Sequence, residues 1–168
     1  MSLHPHRRLH PGFSERQLRD ALGEFATGVT VIATCSPDGA CTGFTANSFN
    51  SVSLDPPLVV WSLNRRASQL AAFERAEAYS VNVLTSRQEA LAVRFATLRG
   101  NRFADVAFRR GTTGAPLIDG CGAWFECRHH SVMPAGDHLL FVGEVLHLEH
   151  AHANCGMLTF HRGRFGST

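Results

Sequence analysis

A chain of 168 residues with 44% hydrophobic and 18% charged positions has apolar material for one core and too little length for two. The same balance excludes a long disordered chain and a fibrous one. All 16 basic residues are arginine and they face 14 acidic ones. A net charge of +2 gives no basic stripe for nucleic acid, and the missing lysine excludes a Schiff base, a lysine general base and a P-loop.

No apolar run approaches the roughly 18 residues that span a bilayer, and the opening MSLHPHRRLHPG lacks the hydrophobic centre of a secretory leader. The expectation is a cytoplasmic protein with neither a membrane nor a nucleic-acid partner. The cysteines Cys35, Cys41, Cys121, Cys127 and Cys155 are odd in number and hold no C-x-x-C pair. They read as reduced, mostly buried thiols rather than a disulfide framework or zinc ribbon.

In chain order, residues 1–12 have no apolar period and read as a mobile arm ahead of a single domain over 13–168. Ser14 with Gln17 has the spacing of a capping box, and Leu18, Leu22 and Phe25 follow on one helical face, ended by Gly28. VTVIATC (29–35) is a β-branched strand, and Ser36-Pro37-Asp38-Gly39 a turn. Residues 40–50 read as a strand giving way to a binding loop, and LVVWSL (58–63) as a buried strand. SQLAAFERAEA (68–78) has helical spacing, YSVNVL (79–84) alternates as a strand, and Ser86 with Glu89 forms a second capping pattern. After a turn-rich stretch over 111–122 come two antiparallel strands, 123–132 and 138–149, joined by Met133-Pro134-Ala135-Gly136-Asp137. Residues 157–165 form a last strand or cap. Short strands separated by turns predict a mainly β protein, an antiparallel Greek-key barrel with peripheral helices. A doubly wound sheet fits worse, since no G-x-G-x-x-G is present.

Three groups of residues carry candidate chemistry. Between two apolar strands, Thr45, Asn47, Ser48, Ser51 and Ser53 crowd nine positions, offering neutral donors and acceptors suited to a heterocycle edge or a phosphate, or else a loop that caps itself. Ser68 opens a predicted helix just after Arg65 and Arg66, an arrangement suited to an anion or to a plain N-cap. His147, His150, His152 and Cys155 hold soft ligands at short spacing, and a zinc or copper site there is the rival reading. A Cys-His nucleophile pair is disfavoured, because no oxyanion turn or orienting acid stands out.

GFTANSFNSVSLDPP followed by LVVWSLNRRAS resembles the flavin-reductase family, NAD(P)H:flavin oxidoreductases with an FMN-binding split barrel. The likeness runs from about Leu18 to Phe165 and takes in FATGVTVIAT, YSVNVL, Arg94-Phe95-Ala96 with Arg102-Phe103, GAPLIDG, AGDHLLFVGEV and HRGRF. The resemblance implies FMN or FAD and NAD(P)H as cofactors, a homodimer, and a separate monooxygenase as partner. It places Thr45, Ala46, Asn47, Ser48, Ser62, Leu63 and Asn64 along the flavin, and Ser68 at its phosphate. Arg94, Phe95, Arg102 and Phe103 are implied near the ring and tail. His138 of Gly136-Asp137-His138 is implied at the nicotinamide and is the expected catalytic residue. Phe165 takes a position where relatives commonly carry tyrosine, keeping the stack without the hydroxyl. The alternatives are a pyridoxamine-phosphate-oxidase-like FMN enzyme on the same barrel, and a non-catalytic flavin, haem or metal carrier.

Overall fold

The structure, a computed structural model, describes residues 12–151 and 155–168. The expected arm over 1–12 therefore lies outside the described residues except for Gly12.

The elements run α1 (Glu15–Gly23), β1 (Thr27–Gly28), β2 (Thr30–Cys35), β3 (Cys41–Ala46), β4 (Asn50–Leu54) and β5 (Pro57–Asn64). Next come α2 (Leu70–Arg75), β6 (Ala78–Val83), a 3-10 turn (Ser86–Gln88) and α3 (Glu89–Thr97). The chain then forms β7 (Phe108–Arg110), β8 (Pro116–Ile118), β9 (Ala123–Ala135), β10 (His138–His150), β11 (Leu158–His161) and β12 (Arg164–Ser167).

Seven strands pair antiparallel in the order β3-β2-β6-β9-β10-β5-β4. The sheet curls until Phe44 of β3 meets Trp61 of β5, with ring centroids 5.7 Å apart, although four strands separate them in the ladder. The resulting barrel is split: β3 and β4 stay edge strands, and the loop between them bridges the seam. Burial follows from the twist and the pleat. Ile32, Trp61, Leu63, Phe73, Tyr79, Val81 and Phe141 fill the barrel. Val31, Ala33, Leu84, Ala92, Phe95, Phe103, Ile118 and Leu158 form a second core outside it, under α3 and the C-terminal strands. Strand β2 contributes to both cores, which is why VTVIATC is apolar on successive residues instead of alternating.

The small sheets close the ends, β11 pairing with β1 and β12 and β7 with β8. The 157–165 segment thus makes two strands instead of one. Strand β6 does alternate, but its polar face is buried. The Asn82 side chain accepts from Ile118 N–H at 2.8 Å and donates to the Val31 carbonyl at 3.1 Å, and the Ser80 hydroxyl donates to the Pro116 carbonyl at 2.5 Å. Those two residues serve as the docking strip for β8.

The Ser14–Gln17 capping box forms as expected and α1 ends at Gly23. Its apolar face, however, is open: Leu18, Leu22 and Phe25 are 43%, 64% and 71% exposed. The second capping box is one residue earlier than expected, Thr85 with Gln88, because the Thr85 hydroxyl and the Gln88 amide also reach the Gly120 and Asp119 carbonyls at 3.2 and 2.9 Å. Helix α2 is only six residues long and Gln69, not Ser68, is its N-cap. Ala76 turns extended so that the chain can enter β6.

The expectation of five reduced cysteines is overturned by a Cys35–Cys41 disulfide. The Ser36–Gly39 turn sets Cys35 opposite Cys41 as the first rung of the β2–β3 ladder, with Cα atoms 3.9 Å apart. The remaining thiols, Cys121, Cys127 and Cys155, are free.

Candidate active site

The rim of the barrel at the seam is built from four strand ends. Strand β3 delivers Thr45 and Ala46 to the loop at Asn47 and Ser48, and β5 delivers Ser62, Leu63 and Asn64 to the turn at Arg65–Ser68. The register of β10 on β5 sets His138 opposite Asn64, so the β9–β10 hairpin turn, with Gly136 at φ +64°, arrives at the same place. A positive φ there favours glycine and lets the tight turn close.

Hydrogen bonds lock these ends together. The Asn64 amide donates to the Asp137 carboxylate at 3.3 Å and its oxygen accepts from Arg66 N–H at 2.9 Å. Arg65 N–H donates to the Asp137 carbonyl at 2.9 Å. The His138 Nδ1 lies 2.8 Å from the other Asp137 oxygen. The His138 ring beside Asp137, with a smaller contribution from Arg66, holds that carboxyl below the usual carboxylate range. With Nδ1 committed to a carboxylate, the Nε2 of the half-buried His138 is the ring nitrogen left for a ligand. Sequence reasoning singled out His138 but missed Asp137 as its tether. The one available signal was their adjacency after a glycine.

On the other side of the seam, the Asn47 amide is exposed and makes no bond within the chain among the described residues, while the Ser48 hydroxyl is spent on the Ser62 peptide. The Thr45 hydroxyl points to α3 and donates to the Ala92 carbonyl at 2.6 Å. Ala46 and Leu63 are buried in the barrel core, so only their backbone faces the rim. The Arg65 and Arg66 guanidiniums are exposed and form no direct ion pair among the described residues; Ser68 stands beside them in the turn. The expected helix N-terminus at Ser68 is absent, and the positive charge at this point comes from arginines.

The four residues expected near the ring and tail from the α3 side are placed differently. Phe95 and Phe103 are 0% and 7% exposed and pack edge to face at 5.0 Å in the outer core. They are packing residues, not an aromatic wall, because the α3 face that carries Phe95 docks on β3. The Arg94 guanidinium donates to the Ala104 carbonyl and its Nε is buried without a partner. Arg102 donates to the Leu98 and Gly43 carbonyls at 2.7 and 3.1 Å, and the Gln69 amide abuts it, which ties α3 and β3 to the start of α2. Phe165 packs on Phe160 at 5.3 Å beside a cleft of about 600 Å³ on the β11–β12 hairpin, away from the barrel core that underlies the rim.

The rival metal cluster does not assemble as a described site. His152 lies outside the described residues, and among the described residues no group of three histidine, cysteine or acidic side chains is placed to hold a metal. No helix among the described residues is long and apolar enough to cross a membrane.

The protein is a split antiparallel barrel whose seam carries hydroxyls and an amide beside two adjacent arginines and a carboxylate-tethered histidine. Residues 22–168 match the flavin reductase like domain, and the chain belongs to that family. It is 44% identical over 155 residues to the FMN reductase (NADH) SmoA of Agrobacterium fabrum, covering 92% of this chain and 87% of that protein. It is 45% identical over 130 residues to the reductase component of a flavin-dependent trigonelline monooxygenase from Acinetobacter baylyi, covering 77% of this chain but only 42% of that longer protein. Among solved structures, the Streptomyces globisporus NADH:FAD oxidoreductase SgcE6, in complex with NAD and FAD fragments, superposes with a TM-score of 0.85 at 38% identity, covering 90% of this chain and 92% of that one.

The residues present fit a flavin phosphate and a nicotinamide. Neither arginine of the pair forms a direct ion pair among the described residues, and Asn47 is exposed with its amide unspent. Neutral donors there suit the polar edge of a ring that gains negative charge on reduction.

Proposed function

We propose that the chain is an NADH-dependent flavin reductase whose site is the seam rim, with FMN or FAD taken as the electron acceptor. The observation that carries this reading is the junction of Asn64, Asp137 and His138 at the point where the Asn47–Ser48 loop and the Arg65–Arg66 turn converge. When both nucleotides are bound, the nicotinamide supplies a hydride and the flavin N5 receives it; the organic chemistry is theirs.

The chain's own residues bind and orient. Asn47 and the backbone of residues 45–48 offer donors to the flavin edge, and Arg65, Arg66 and Ser68 hold the phosphate. His138, fixed by Asp137, presents a ring to the nicotinamide. Ser48 keeps the loop seated on Ser62 so that the rim is formed before binding. No side chain is asked to act as nucleophile.

Relatives named as reductase components of flavin-dependent monooxygenases support a separate oxygenase that takes up the reduced flavin, and the protomers are proposed to pair as a homodimer. The open apolar face of α1, with Phe13 also 50% exposed, supports the second copy. The test is NADH oxidation measured with FMN, FAD and riboflavin as acceptors. Turnover that depends on added or bound flavin is expected, and a protein that oxidises no NADH with any of the three refutes the proposal.

A further inference from the structure

Away from the seam, at the opposite end of the β2–β3 hairpin, lies a cavity of about 780 Å³. Its wall includes both sulfurs' residues, Cys35 and Cys41, together with Thr34, Arg75, Glu77 and Arg110. We propose that this cavity admits a small acidic thiol, and that the Cys35–Cys41 disulfide exchanges with it. The proposal is independent of the flavin reading.

Three observations carry it. Both cysteines of the pair are half-buried and line open space, whereas burial pushes the thiols of Cys121 and Cys127 up to about 12 and shuts them off from exchange. The cavity walls carry two arginines against one glutamate. Neither arginine is neutralised by a carboxylate: Arg75 has no partner among the described residues, and Arg110 donates only to the Gly39 and Gly114 carbonyls at 3.1 and 3.0 Å. The remaining acid of the hairpin, Asp38, is turned to Ser36 and Ala40 and does not line the cavity. Positive charge beside a reachable disulfide favours a thiol that carries carboxylates, and it stabilises the attacking thiolate as well.

The step balances with the thiol as reductant. Its thiolate sulfur bonds to one sulfur of the pair, and the electron pair of the Cys35–Cys41 bond leaves on the other as thiolate. A second thiol then displaces the first protein sulfur, so that two thiols become one small-molecule disulfide and the protein gains two thiol protons. The six rungs from Thr30 opposite Ala46 to Cys35 opposite Cys41 hold the hairpin without the bond, so the reduced protein keeps its fold.

The experiment compares glutathione with its diethyl ester, which has the same thiol but no free carboxylate, on the full chain purified without reductant. Cleavage at arginine leaves both cysteines on one peptide, residues 20–65, which contains no other cysteine, so alkylation and mass spectrometry read the pair directly. Glutathione should reduce it about fivefold faster than the ester at low salt, the scale of one close charge pair in water, with the preference fading as salt is added. Arg75→Glu should abolish or invert the preference. A pair found as free thiols in the unreduced protein, equal rates for the two thiols, or a preference that survives Arg75→Glu would each overturn the proposal.

Discussion

The Ser48 hydroxyl holds the Ser62 peptide from both sides, accepting from its N–H at 3.1 Å and donating to its carbonyl at 3.4 Å. Where a β3–β4 or β3–β5 ladder would have closed the barrel, one side chain does so, and the loop before it is kept at the rim. Ser48→Ala should therefore lower stability by about 1 kcal/mol, the size of a net hydrogen bond, and raise the KM for flavin more than that for NADH. Urea unfolding and steady-state kinetics read both. An unchanged flavin KM beside a loss of stability would confine Ser48 to folding.

His138 and Asp137 are separable by the same assay. His138→Ala removes the ring proposed to face the nicotinamide and should raise the KM for NADH roughly tenfold, as losing a charge-assisted hydrogen bond does, with flavin affinity within about twofold. Asp137→Ala leaves the ring but frees it to rotate, so its effect on the same parameter should be smaller and in the same direction. Comparable weakening of flavin and NADH by His138→Ala would remove the role assigned to it.

The phosphate site proposed at Ser68 and the arginine pair has its own test. Ser68→Asp puts a negative charge between Arg65, Arg66 and the ligand and should weaken FMN about tenfold while barely touching riboflavin, which has no phosphate. Fluorescence titration of the two flavins gives the comparison. Equal losses would show that the phosphate is held elsewhere.

Strands β2, β5, β6, β9 and β10 were legible in the sequence because apolar or β-branched runs stand between turn signals, and Ser36-Pro37-Asp38-Gly39 marked its hairpin; β4, β7 and β8 were not. What that turn also does, pairing Cys35 with Cys41, was hidden by the odd cysteine count, which speaks to the whole chain and not to a register. The convergence of Asn64 with His138 follows the strand ends that the motifs mark. Sequence reasoning failed at Phe95 and Phe103, because an aromatic ring that walls a ligand and one that fills a core share the same residue type and helical spacing. Only the docking of α3 on β3 decides between them. The helix start expected at Ser68 failed for a local reason: the helix begins two residues later and is too short to carry a dipole to the rim.

The face of α1 is one exposed apolar surface that a proposed second copy would cover. Leu22 and Phe25 are more than half exposed on the same helix end, while the neighbouring ion pair Arg162–Glu24, 2.6 Å apart, fixes that end to the β11–β12 hairpin. Replacing Leu22 and Phe25 together by glutamate should convert a dimer to a monomer in light scattering without lowering the urea midpoint of the protomer, since neither contributes to either core. A protein that is monomeric before the change removes the dimer from the proposal.

Glu126 supplies a pH dependence of stability with a definite sign. Its carboxylate is 3% exposed and accepts from Thr112 N–H at 3.1 Å, Thr113 N–H at 2.7 Å and the Thr113 hydroxyl at 2.6 Å, pinning the loop between β7 and β8 to β9. Burial by itself would push this carboxyl up, but those three donors and the nearby His147 outweigh it and hold it below the ordinary carboxylate range. A carboxyl whose folded value is depressed stabilises the fold above its unfolded value of about 4.3, and that contribution is lost as pH falls through the lower folded value. Glu126→Gln keeps the shape but cannot ionise, so it should cost about 1–2 kcal/mol at neutral pH, and its deficit against the wild type should shrink steadily below about pH 4. Urea midpoints for both proteins between about pH 3 and 7 make the comparison, and curves that stay parallel to the acid end would show that the Glu126 charge contributes nothing to the fold.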